Sequence, residues 1–402
     1  MKTPELLAPA GDLERLEYAL AYGANAVYLA GSDFGMRAHA GNFSQDGLKT
    51  AVDLAHKHGA KVFVTVNAIP RNEDLKKLPD FLAYTQEIGV DALIMADIGV
   101  FFMAGAHAPK IERHISTQAG ILNHEAAKSW HDMGASRVIL ARELSLDEIA
   151  DIRAKAPKGL ELEVFVHGAM CVSFSGRCLM SQYLTGRDAN QGNCAQPCRW
   201  KFHVVEESRP GQYMEIIEDG GTHLFNAQDL NMIEHLPDVL NTGVDSLKIE
   251  GRAKSFYYAA VVTGAYRQVL DAIAQGKSPD PLWFQEVKRV SHRHYNTGFF
   301  YGPDGAQQHY SDSSYIRGAS VVAVVESCDD TGMAKLSQRN RFFVGETLEL
   351  IAPGQLPISF VCQGLWDKKG EAIEVAPHPM MELSMQLPKT AGKYAILRRV
   401  QD

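Results

Sequence analysis

The chain has 402 residues, 46% of them hydrophobic and 22% charged, with 40 Lys and Arg against 48 Asp and Glu for a net charge of −8. This is the composition of an ordinary globular protein, long enough for one large domain and a smaller one. The acidic balance excludes a global attraction to nucleic acid, so an RNA partner would need a local basic surface, such as Lys288, Arg289, His292, Arg293 and His294, or Arg398 and Arg399.

Residues 1–11 hold one lysine, an early proline and no apolar core, which sets a cytoplasmic expectation with no membrane partner. Strand candidates follow at 5–8, 26–30, 62–67, 92–96, 114–117, 137–140, 160–167 and 246–250. Helical patterns alternate with them at 12–22, 45–58, 73–88, 98–107, 123–133, 146–154, 229–240 and 255–275, with Asp12, Ser44, Asn123, Ser145 and Ser255 placed as N-caps. The longest apolar stretch, 92–108, is cut by Asp97 and reads as buried strand followed by helix, being short of the roughly 20 residues of a bilayer span. Five segments end at a glycine just before the next strand: Gly23, Gly59, Gly89, Gly134 and Gly243. Each is the αβ half of a β/α repeat, and eight such units predict an α/β fold, a (β/α)8 TIM-like barrel over 1–276, with a doubly wound sheet as the competing arrangement. A cysteine-rich loop (168–200) and a short strand region (201–225) are inserted after strand seven. Residues 277–318 read as a linker or clasp. Short β-type runs over 319–402 predict a small all-β barrel.

Four of the six cysteines, Cys171, Cys178, Cys194 and Cys198, crowd into the inserted loop. In a reducing cytoplasm such grouping favours metal ligands or catalytic thiols over disulfides, and four grouped thiols make an odd setting for a lone nucleophile. The intervals of six, fifteen and three residues differ from zinc knuckles, so the spacing admits a [4Fe–4S] cluster as readily as zinc.

A barrel carries its active site at the C-terminal ends of its strands. The residues leaving the predicted strands include Asn67, Gln118, Arg142, Glu143, His167, Lys248, Glu250 and Arg252. His167, Arg142, Glu143, Lys248 and Glu250 are the catalytic candidates, with His167 a proton donor and Lys248 and Glu250, on one face of their strand, an ion pair or acid/base pair. Arg37, Asn67, Gln118, Arg177 and Arg252 are the substrate-binding candidates, the guanidinium groups matched to carboxylate or phosphate. Phe174, Tyr183 and Trp200 offer stacking surfaces. No GxSxG elbow or HExxH helix supplies a hydrolytic mechanism.

Residues 163–181, EVFVHGAMCVSFSGRCLMS, resemble the signature of peptidase family U-32, described as collagenase-like. Glu163, Phe165, Gly168, Ala169, Met170, Cys171, Gly176, Cys178, Met180 and Ser181 carry the match, and PELLAPAGDLERLEYALAYGANAVYLAG, RVILARELSLDEI and SLKIEGRAKSFYYAA extend it over residues 1 to about 275. The terminal module is similar to the small C-terminal barrel of some members. Within the family, the arrangement is closest to members that make 5-hydroxyuridine at the tRNA wobble position. That resemblance implies an oxygen-independent, prephenate-dependent hydroxylation with tRNA as partner. It also implies an iron–sulfur cluster on Cys171, Cys178, Cys194 and Cys198. A peptidase and a zinc-stabilised RNA-binding protein stand as alternatives.

Overall fold

The computed structural model describes residues 3–32, 34–35, 42–171, 173–174, 178–200, 204–205, 213–214, 227–302, 305 and 315–401. The chain divides into two compact units: Met1–Leu20, Ala24–Ala259 and His292–Tyr315 form the first, and Ala21–Gly23, Ala260–Ser291 and Ile316–Asp402 the second. The stretch 277–318, expected as one linker or clasp, is thus shared between the units, with its residues up to Ser291 in the second and His292–Tyr315 in the first.

In the first unit, eight parallel strands close into a ring among the described residues. They are β1 (Glu5–Pro9), β2 (Ala26–Leu29), β3 (Lys61–Val66), β4 (Ala92–Met95), β5 (Glu112–Ile115), β6 (Arg137–Ile139), β7 (Glu161–Ala169) and the strand at Ser246–Ile249, which pairs with both β1 and β7. Between β7 and this closing strand lie β8 (Val204–Val205) and β9 (Tyr213–Met214), an antiparallel pair, and β10 (Asp229–Asn231), so the closing strand is β11. Helices α1 (Leu13–Ala21), α2 (Gln45–Lys57), α3 (Leu78–Glu87), α4 (Ile98–His107), α5 (His124–Asp132) and α6 (Leu146–Lys155) alternate with the strands. After β7 come α7 (Met180–Thr185) and α8 (Leu236–Asn241), and after β11 comes α9 (Phe256–Ala274), whose residues from Ala260 onward belong to the second unit. Parallel strands covered on both faces need nearly continuous apolar sequence, and Leu6, Leu7, Val27, Leu29, Val62, Val64, Leu93 and Leu247 are all fully buried. Each such side chain contributes roughly 1.5–3 kcal/mol by leaving water.

All five expected N-caps are made. The side chains of Asp12, Ser44, Asn123, Ser145 and Ser255 accept from the backbone N–H of Arg15, Gly47, Ala126, Glu148 and Tyr258. The five repeat glycines all sit at positive φ, from 71° at Gly59 to 105° at Gly134, which lets each helix turn directly into a strand at little steric cost. The helix expected over 73–88 starts as a 3-10 turn at Asp74–Lys76 and becomes α-helical only at Leu78, and two further elements near the site differ from the sequence reading. The fifth strand begins at Glu112 and stops at Ile115, because Thr117–Ala119 turns into a 3-10 segment capped by Ser116. The helix expected over 229–240 begins only at Leu236, where Pro237 fits the first turn but would break a helix interior. Asp229–Asn231 instead pairs antiparallel with the end of β7, Asp229 opposite Ala169 and Asn231 opposite His167.

The second unit holds α10 (Leu282–Glu286) and an all-β region. Short strands β12 (Ser291–His292), β13 (Tyr295–Asn296), which belongs to the first unit and pairs with β10, and β14 (Ile316–Arg317) precede β15 (Ala319–Cys328), β16 (Met333–Gln338), β17 (Phe342–Phe343), β18 (Thr347–Ile351), β19 (Ile358–Val361), β20 (Leu365–Asp367), β21 (Ala372–Ile373), β22 (Val375–Ala376), β23 (Glu382–Gln386) and β24 (Ile396–Val400). The antiparallel order is β19-β18-β24-β15-β16-β23-β20-β21, around a core that includes Val322, Leu336, Phe342, Leu348 and Leu397. Arg398, proposed from sequence as part of a basic surface, is only 1% exposed and grips Glu286 through two nitrogens at 2.8 and 2.6 Å, with Glu349 on its Nε at 2.8 Å. Arg399 pairs with Glu346. In the other expected patch, His292 and Arg293 are buried in the first unit. Among the described residues no helix is long and apolar enough to cross a membrane.

Candidate active site

At the C-terminal ends of the barrel strands, a cavity of about 230 Å³ opens beneath the cysteine loop. Of the expected strand-end residues, Asn67, Gln118, Arg142, Lys248, Glu250 and Arg252 line it, together with all four loop cysteines and Phe174. The period of two along β11 and its exit brings Lys248 and Glu250 to the same cavity. They do not pair with each other. Lys248 Nζ donates to Glu163 at 2.9 Å, while Glu250 accepts from the Tyr28 hydroxyl at 3.1 Å.

Cationic groups ring the space. Arg142 donates to the Ala169 carbonyl at 3.0 Å and lies over the Phe165 ring, and Arg252, 3% exposed, donates to Thr65 at 3.0 Å. Arg199, unforeseen from strand ends, comes from the cysteine loop itself, where it is adjacent to Cys198 and bonded to Gln196 and Tyr315. Gln118 accepts from Ser116 through Oε1, but its buried Nε2 has no hydrogen-bond partner among the described residues. A ligand acceptor would satisfy that amide. Tyr28 and Thr65 also line the cavity and were missed, since they sit inside strands.

His167 and Glu143 fall outside the lining. His167 is 1% exposed, packed between Tyr258 and Tyr295 and hydrogen-bonded to the Tyr295 hydroxyl at 3.2 Å. Burial, with the nearby charge of His292, pushes its pKa down to about 3, so it is neutral at physiological pH. Next to it Gly168, at φ 108°, allows β7 to pass β11, since a Cβ there would lie 2.4 Å from the Glu250 carbonyl oxygen. Arg37 and Arg177 lie outside the described residues. Tyr183 and Trp200 are 81% and 43% exposed, and neither lines the cavity.

None of the four cysteines is in a disulfide. Cys198 has its thiol pushed up by burial, opposed by Arg199, and raised further by Cys171, Cys194 and Cys178. Among the described residues, no three His, Cys, Asp or Glu groups close into a metal-ligating set. In donor type and number the residues nonetheless fit a soft metal centre: four cysteines line one cavity, and a bound cation would relieve the mutual charge that opposes their ionisation.

A parallel barrel that gathers four thiols and several cationic side chains at the C-terminal ends of its strands has the architecture of an enzyme. The chain belongs to peptidase family U32: the family model matches residues 11–310, and its C-terminal domain model matches residues 317–398. It is 36% identical to tRNA hydroxylation protein P1 of Bacillus subtilis (strain 168), covering 99% of this chain and 95% of that protein. It is 37% identical to tRNA hydroxylation protein P of Escherichia coli (strain K12), covering 99% and 97%. Over 67% of the chain and 40% of the other protein, it is 39% identical to the 23S rRNA 5-hydroxycytidine C2501 synthase of Escherichia coli (strain K12).

Proposed function

We propose that this chain is an RNA-modifying hydroxylase that converts the wobble uridine of tRNA to 5-hydroxyuridine without molecular oxygen, with prephenate as hydroxyl source and a [4Fe–4S] cluster on Cys171, Cys178, Cys194 and Cys198. The observation that carries this reading is the convergence of four unpaired thiols with Arg142, Arg199, Arg252 and Lys248 on one cavity. End-to-end similarity to proteins named for tRNA hydroxylation supports the substrate. A cluster bound there supplies electron transfer. The guanidinium groups bind and orient carboxylates. A target base must leave its stack to reach such a site, and the exposed rings of Tyr183 and Trp200, on the loop that bears the cysteines, offer faces to unstacked bases. Free thiols suit a reducing cytoplasmic setting.

Peptide hydrolysis by a cysteine would need an imidazole partner or a depressed thiol pKa. Among the described residues no histidine lines the cavity, and the Cys198 thiol is raised instead.

The test is nucleoside mass spectrometry of tRNA from cells whose own copy is replaced by Cys171→Ala or Cys194→Ala. Loss of 5-hydroxyuridine is expected in both. Normal levels in the two strains would reject the reading, and gelatin cleavage by the purified protein would favour proteolysis.

A further inference from the structure

The floor of the cavity rests on a buried ion chain. Lys248, 4% exposed, donates from Nζ to Oε1 of Glu163 at 2.9 Å. Glu163 is fully buried and gives its other oxygen to Arg137 at 2.9 Å and to the Ser246 hydroxyl at 3.2 Å. Arg137, 2% exposed, also donates from the same Nη1 that meets Glu163 to Glu5 at 2.6 Å and from Nη2 to Glu161 at 2.6 Å. Glu5, Arg137 and Glu161 are the first residues of β1, β6 and β7, so the chain is anchored at the barrel end opposite the loops. Burial would push the Glu163 carboxyl up, yet Lys248 and Arg137 hold it at about 2.

An ammonium has three N–H donors. Among the described residues Glu163 is the one hydrogen-bond acceptor for Lys248, whose other close neighbours are the ring faces of Tyr28, 4.6 Å from Nζ, and Phe165, 5.4 Å away. Ring faces offset part of the desolvation cost, and donors left without acceptors keep the rest. Because Lys248 borders the cavity, an anionic group bound there would take the remaining donors.

We propose that Lys248 is the anion-binding group on the cavity floor, receiving a carboxylate of the small co-substrate, and that Glu163 and Arg137 are positioning residues that fix its ammonium there. The inference rests on the hydroxylase reading of this cavity. Glu163 acts through Lys248: with one oxygen on Arg137 and Ser246, its other oxygen is aimed at a single point, and so is the ammonium it holds.

The experiment uses the full chain, anaerobically prepared with its cluster, as wild type, Lys248→Met, Lys248→Arg, Glu163→Gln and the double variant Glu163→Gln/Lys248→Met. Prephenate is the probe, in equilibrium dialysis and in tRNA hydroxylation at varied prephenate. The double variant removes both charges with similar shapes and keeps the fold where the single Glu163 variant does not, as circular dichroism would verify. The expected result is an apparent dissociation constant raised about tenfold or more in Lys248→Met and in the double variant, with Lys248→Arg recovering most of the loss. A double variant that binds prephenate like wild type would make the pair purely structural and overturn the inference. If wild type hydroxylates tRNA and the half-saturation of Lys248→Met is unchanged, the inference falls and the hydroxylase reading stands. If wild type neither binds prephenate nor hydroxylates tRNA, both fall.

Discussion

Lys248 in the first unit and Arg398 in the second are both strand cations removed from solvent, at 4% and 1% exposure, and they are satisfied differently. Arg398 places Nε on Glu349 and both terminal nitrogens on Glu286, so its charged fork is answered inside its own unit. Lys248 has one carboxylate oxygen, two ring faces and a cavity beside it. A buried ion answered by protein groups on all sides holds a structure together; one answered on some sides and left bordering empty space is prepared for a partner.

The largest effect that separates the two regions is expected at the cysteine loop. On the proposed function, anaerobic wild type should carry about four irons per chain, and Cys178→Ala should lose that iron and sulfide, and with them tRNA hydroxylation, while the urea unfolding midpoint of the second unit stays put. Stoichiometric zinc without sulfide in wild type would break the redox side of the comparison. Next comes Arg398→Met, which strands Glu286 and should cost about 3–5 kcal/mol of stability in chemical denaturation with prephenate affinity unchanged. A matching fall in affinity would erase the distinction drawn here. Acid should act on the first unit through a named pair of groups. His167 has a folded pKa of about 3 against 6.5 unfolded, and Glu163 about 2 against 4.5. In both cases the unfolded state takes up the proton first, so stability is lost as pH falls below 6.5 through His167 and further below 4.5 through Glu163. His167→Phe should therefore flatten the fall in unfolding midpoint between about pH 7 and 5; parallel slopes for variant and wild type would refute this. The smallest effect is Ser145→Ala, which removes the capping box with Glu148 at the start of α6 and should cost about 1 kcal/mol with no change in hydroxylation.

The barrel was readable because its signals are local. A helix that must turn at once into a parallel strand needs a left-handed residue, and the glycines of the β/α repeat announce it. The misreading of 229–240 has a nonlocal cause: Asp229–Asn231 carries no strand pattern of its own and is extended because the end of β7 is there to pair with it. The same division runs through the site. Cysteines grouped in one loop and polar residues at strand exits are visible in sequence, and Arg142, Lys248, Glu250 and Arg252 do meet. His167 is also a strand-end residue, but Asn231 and Tyr295 enclose it, and both belong to segments that sequence distance hides. Glu163 gave a signal that was passed over: a glutamate in the apolar run of β7, on a strand buried on both faces, must have a buried cation to meet. Which cation it meets depends on β6 and β11 lying on either side of β7, and that is a property of the closed ring.

The cysteine-bearing segment leaves the barrel at Ala169 and returns at Asp229, and those two residues are directly opposite each other in an antiparallel ladder. The whole excursion therefore begins and ends at one point of the scaffold, tied there by backbone hydrogen bonds instead of being stretched between distant strands. Lengthening such a loop adds only slowly to its closure entropy, and residues inserted within it would not displace β7 or β11. The barrel can thus keep its ion-anchored cavity floor fixed while the segment between Ala169 and Asp229 varies in length and sequence.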